Sequence, residues 1–98
     1  MKELYAEVVL NKDELVESES NRIELEYYKI SKKASKEQSN LYGVEIVKKE
    51  YLGNKSLEEK EDIDCLTNDE TVVNNLLSVL KRNKVTPICL NEILDEVL

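Results

Sequence analysis

Apolar side chains recur at every second position through the first two-thirds of the chain, and at every third or fourth position through the last third. The first pattern is that of strands and the second that of helices, because side chains alternate across a strand and repeat each 3.6 residues along a helix. Residues 4–10 place Leu4, Ala6, Val8 and Leu10 on one face and Tyr5, Glu7 and Val9 on the other. Residues 22–31 alternate again, with Ile23, Leu25 and Tyr27 opposite Glu24, Glu26 and Tyr28. A third strand is expected over 41–52, with Tyr42, Val44 and Ile46 on one side, and Gly43 marks a bulge or a close backbone approach. A polar stretch over 11–21 and a wet one over 31–40 read as connections. After the turn signal Gly53-Asn54-Lys55-Ser56 comes a charged run, then a short fourth strand around Ile63 and Cys65.

Helix signals follow. Thr67, Asn68 and Asp69 are good N-cap residues, and Asp69 and Glu70 suit the positive end of a helix dipole. Val72, Val73, Leu76, Leu77 and Leu80 then form a buried stripe, with Lys81, Arg82 and Lys84 at the negative end, so one helix is predicted over 69–83. Asn83 reads as its terminator, Thr86 as the next cap and Pro87 as the starter of a second helix, whose stripe is Leu90, Ile93, Leu94 and Val97. The expected architecture is α+β. A four-stranded, mainly antiparallel sheet (strands about 3–66) is followed by two C-terminal helices (about 69–97) packed on one face, all within a single domain over 1–98.

Composition narrows the chemistry. The 98 residues include no histidine, tryptophan or phenylalanine, so the usual general base near neutral pH and the commonest transition-metal ligand are missing. No catalytic residue, metal ligand or cofactor site is expected, and the chain reads as a non-enzyme. No apolar run approaches the ~20 residues of a membrane span, nor does the start carry a signal-like stretch, so a cytoplasmic protein with no membrane contact is expected. Cys65 and Cys89 are too few and too far apart for a disulfide framework. Cys65, among carboxylates, reads as a small buried hydrophobe; Cys89, near a helix start, is the more reactive candidate of the two, but a free cysteine is usually buried packing and that is the preferred reading.

The net charge of −7 is unevenly spread. Residues 1–28 carry three basic and eight acidic side chains, 29–55 carry seven and three, and 56–70 carry one and seven. The carboxylates of 58–64 lack a calcium-loop pattern and are interrupted by Lys60, so a solvated loop and strand edge explain them. Lys29, Lys32, Lys33, Lys36, Lys48, Lys49 and Lys55, with Tyr27, Tyr28, Tyr42 and Tyr51, have two readings: a surface for single-stranded nucleic acid, or a sheet whose charges neutralise across strands. The overall negative charge disfavours nucleic acid.

A sheet covered on one face leaves the other wet, so Tyr5, Val9 and Tyr28 are the candidate interaction residues, for a homodimer or a protein partner. A second candidate is the polar connection between the helices, Arg82, Asn83, Lys84, Thr86 and Pro87, with free N–H groups at the second helix start as a docking corner. The leading expectation is a protein-interaction or regulatory module, and the alternative a nucleic-acid-associated regulator using the basic central strands.

The stretch from Leu76 through Pro87, followed by Leu90 and Ile93, and the segment 41–47 (Leu-Tyr-Gly-Val-Glu-Ile-Val), resemble a family of small uncharacterised proteins of spore-forming anaerobic bacteria, a domain of unknown function. The resemblance implies a bacterial cytoplasmic protein with a stable fold, and it carries over no catalytic residue.

Overall fold

The computed structural model describes residues 1–11, 21–33 and 40–97 of the chain, without the side chains of 96 and 97. Strands β1 (Lys2–Asn11), β2 (Arg22–Lys33), β3 (Asn40–Leu52) and β4 (Lys55–Thr67) precede α1 (Glu70–Arg82), a 3-10 turn (Pro87–Cys89) and α2 (Leu90–Val97). The strands form one antiparallel sheet in sequential order, so β1 and β4 are its edges. Both helices lie on one face, as the alternation and the helical stripes predict. The connections expected over 11–21 and 31–40 fall mostly outside the described residues.

The core is built where the two periods meet. Leu25 and Tyr27 of β2 and Val44 and Ile46 of β3 pack against Val73, Leu76, Leu77 and Leu80 of α1 and Leu90 of α2, and all are essentially inaccessible to solvent. Each such side chain contributes roughly 1.5–3 kcal/mol of transfer free energy. Ala6, Val8 and Leu10 of β1 border this cluster, facing Tyr27, Leu25 and Ile23. The helix stripe was fully legible in the sequence, and Asp69 caps it by accepting from the Thr71 N–H at 2.9 Å. Among the described residues, no helix is long and apolar enough to cross a membrane.

One polar tie crosses this core. The Tyr27 hydroxyl, buried on β2, donates to the Val85 carbonyl in the inter-helix connection at 3.0 Å. It gives the Val85 carbonyl, in the connection beyond α1, a buried partner and ties that connection to the sheet centre. Burial pushes the Tyr27 phenol well above its ordinary value of 10.0.

Four expectations are corrected by geometry. A bulge shifts the register between Leu4 and Ala6, so Leu4 pairs with Tyr28 while Ala6 pairs with Tyr27. Leu4 therefore leaves the Ala6, Val8 and Leu10 row and joins the open face. The fourth strand is not short: it spans Lys55–Thr67, because Glu58 and Glu59 sit opposite Lys49 and Lys48 and the charged run is stabilised by its neighbour. Cys65 is exposed rather than buried. Between Ile63 and Thr67 the strand bulges over the single residue Gly43, and Cys65 takes a left-handed φ of 54° at that bulge. Finally, the second helix does not start at Pro87; a 3-10 turn over Pro87–Cys89 precedes it.

Gly43 meets the close approach its sequence position suggested. A Cβ there would overlap the Ile63 carbonyl oxygen and sit 3.0 Å from the Asp64 Cα, both backbone atoms that cannot swing aside. Gly53, in the β3–β4 turn, needs its positive φ of 61° but has open space around it.

Two outcomes follow. Gly43→Ala is expected to destabilise the protein by about 2 kcal/mol or more, and Gly53→Ala by about 1 kcal/mol, in urea unfolding at neutral pH; a reversed order contradicts the close approach. For Tyr27, the raised folded value means the unfolded chain releases the phenolic proton first as pH rises past 10.0. Stability is thus fully present below that pH and falls above it. Tyr27→Phe should cost about 1–3 kcal/mol at neutral pH and flatten the alkaline decline. An unchanged alkaline slope would contradict the burial of this phenol.

Candidate functional site

The open face of the sheet is where two of the sequence-derived candidates lie. Cross-strand partners share a face, which places Leu4, Tyr28, Glu45 and Asp62 in one row, Glu7, Glu26, Val47 and Lys60 in a second, and Val9, Glu24, Lys49 and Glu58 in a third. Opposite charges bind the rows together. Lys2 reaches Glu45 at 3.1 Å and lies over the Tyr28 ring at 4.6 Å, Lys49 faces Glu26 at 3.6 Å, and Glu24 receives Arg22 at 3.3 Å and the Tyr51 hydroxyl at 2.6 Å. The hydrogen bond to Glu45 holds the Lys2 ammonium above the ordinary lysine range, and the Glu26 charge does the same for Lys49. Burial raises the Tyr28 phenol.

The middle of this face is therefore a neutralised charge lattice with Ile30 and Val47 buried beneath it. Tyr28 belongs to that lattice and is half-covered, while Val9 is half-buried on the β1 side. Tyr5 lies at the bulge, between the two registers of β1, and is 42% exposed; its neighbour Leu4 is 50% exposed. The candidates thus separate: Tyr28 is engaged within the molecule, whereas Tyr5 and Val9 sit along an edge strand whose outer side meets no other strand among the described residues. Leu4 was missed, because nothing in the sequence marks the bulge that turns it outward.

The two edges differ in chemistry. β4 carries five carboxylates and two lysines in 13 residues, a charge density that resists pairing with another strand. On β1 the bulge-free stretch from Ala6 to Leu10 holds a single charge, Glu7.

Four of the central lysines lie beside carboxylates, Lys49 beside Glu26 as above. Lys29 pairs with Glu70 at 2.5 Å across to α1, Lys32 pairs with Asp64, and Lys48 approaches Glu50 at 3.9 Å. Lys36 lies outside the described residues. Beside Lys29 an open depression of about 490 Å³ is lined by Lys32, Asn40, Tyr42 and Glu70 among others, but Lys29 and Lys32 already have carboxylate partners. Among the described residues, no buried side-chain polar atom lacks a partner, and no group of three or more His, Cys, Asp or Glu is placed to hold a metal ion.

The inter-helix corner satisfies its own polar groups. The Asn83 N–H and side-chain amide both donate to the Val79 carbonyl, at 3.0 and 3.1 Å, and the N–H groups of Lys84, Val85 and Cys89 donate to Lys81, Leu80 and Thr86. Asn83 caps the C-terminus of α1, as its place in the sequence suggested, and Lys84 behind it takes a left-handed φ of 52°. Thr86 precedes the 3-10 turn without a side-chain capping bond, and Pro87 is buried at its start. Arg82 and Lys84 are exposed. Ile88, 82% exposed on the turn, is an apolar feature the sequence pattern did not single out; its position off the Leu90, Ile93 and Leu94 stripe was the available signal.

The chain belongs to the Family of unknown function (DUF6514), whose profile matches residues 6–98. No curated protein and no solved structure matches it.

If the corner is shaped by chain geometry alone, Lys84→Gly should raise stability by about 1 kcal/mol by relieving the left-handed residue. A loss of stability in urea unfolding would instead assign the Lys84 side chain a structural contact.

Proposed function

We propose that this member of the DUF6514 family is a non-enzymatic protein-interaction module that docks through the β1 edge of its sheet. The observation that supports this reading is the combination, on one edge strand, of a backbone row over residues 6–10 that meets no other strand among the described residues with the exposed side chains of Leu4 and Tyr5. Strand addition to an open edge supplies main-chain hydrogen bonds, and neighbouring apolar side chains supply selectivity. The resemblance noted in the sequence extends the proposal to the cytoplasm of a spore-forming anaerobic bacterium.

A nucleic-acid role draws little support from the geometry, since Lys29, Lys32, Lys48 and Lys49 each lie beside a carboxylate. The inter-helix corner has one observation in its favour, the exposed Ile88, and serves as the internal comparison.

The test is affinity purification from the native cell with mass spectrometry, using wild type, a Leu4→Ser/Tyr5→Ser variant and an Ile88→Ser variant, each confirmed as folded. The expected outcome is that captured proteins other than copies of this chain are lost with the edge variant and kept with Ile88→Ser. Retention with the edge variant, or loss only with Ile88→Ser, contradicts the proposal.

A further inference from the structure

We infer that the occupant of the β1 edge is a second copy of this chain, joined antiparallel through residues 6–10 about a two-fold axis at Val8. The inference rests on the β1 docking reading and names its partner. Antiparallel pairing of identical strands makes the residue on the axis face itself, so a charged residue there meets its own like charge. On β4, an axis at any residue from Glu58 to Asp62 opposes two like charges, and one at Ile63 opposes Asp62 to Asp64. On β1, an axis at Val8 opposes Val8 to itself, Ala6 to Leu10 and Glu7 to Val9.

That register fits the layers as well. Ala6, Val8 and Leu10 lie on the helix-covered face and already border the core, so pairing continues one apolar row across the axis. Opposed residues in an antiparallel ladder share a face, so both helix layers fall on the same side of one eight-stranded sheet. The contact is closed: the axis consumes both β1 edges and leaves only the acidic β4 strands outermost. Joining β1 of one copy to β4 of the next would instead propagate without end, and it brings together strands with net charges of −1 and −3.

Leu57 is the rival centre. It is 53% exposed on β4, and an axis there opposes Lys55 to Glu59, but it lies opposite Glu50 and beyond the apolar cluster, so pairing there extends no core.

Val9 provides a test that depends on the sign of a charge. It lies on the open face, away from the core, and in the inferred dimer it meets Glu7 of the other copy twice by symmetry. Val9→Glu creates two like-charged pairs and should weaken the dimer about tenfold, whereas Val9→Lys creates two opposite pairs and should strengthen it. Sedimentation equilibrium over a wide concentration range reads both, with circular dichroism confirming the fold. Dimerisation of wild type with these opposite responses, and no effect of Leu57→Lys, supports the inference. A wild-type monomer throughout, equal responses of the two Val9 variants, or loss with Leu57→Lys overturns it. A monomer whose cellular partners still depend on Leu4 and Tyr5 would remove the second copy and leave the docking reading standing.

Discussion

The helices are too short to cover the sheet, and that shortfall organises the molecule. The 13 residues of α1 and eight of α2 extend roughly 20 and 12 Å, against a molecule 50 Å long. Cover is spent on the centre, where β2 and β3 place Leu25, Tyr27, Val44 and Ile46 under both helices. The Tyr27 to Val85 hydrogen bond ties the inter-helix connection to that centre and keeps both helices over it. Everything outside must be stabilised by other means. The open face does so with cross-strand ion pairs over Ile30 and Val47, and β4 with its lysine neighbours on β3.

What remains is β1. Its Ala6, Val8 and Leu10 reach the core only at its margin, and among the described residues its outer side faces no strand. The two edges answer this exposure differently: β4 is fenced by the carboxylates of residues 58–64, while β1 is interrupted by a bulge at one end and carries little charge beyond it. Charge on an edge strand is a usual protection against unwanted pairing, so its relative absence from one edge of an otherwise highly charged protein singles that edge out.

The sequence made the central architecture readable because it is encoded by period. The α1 stripe, the Ile23, Leu25 and Tyr27 row and the tight packing at Gly43 all depend on side-chain spacing or on a missing Cβ, both visible in one chain. The misread features depend on partners far away in sequence. The length of β4 comes from Lys48 and Lys49 across the ladder, the orientation of Leu4 from a bulge against Tyr27 and Tyr28, and the exposure of Cys65 from its bulge over Gly43. The candidate site was half legible for the same reason. Alternation put Val9 on the open face, but only the strand order shows that β1 is an edge, and only the ion pairs show that Tyr28 is already engaged.

We propose β1, and not β4 or the inter-helix corner, as the edge at which the chain meets its partner. Residue-resolved amide hydrogen exchange, compared between dilute and concentrated protein, tests it most directly, because outward-facing edge amides are protected only when another strand covers them. Exchange is expected to slow on concentration within residues 6–10 and to stay unchanged along β4 and residues 83–89. Protection that grows on β4 or at the corner, with β1 amides exchanging equally fast at both concentrations, would contradict it.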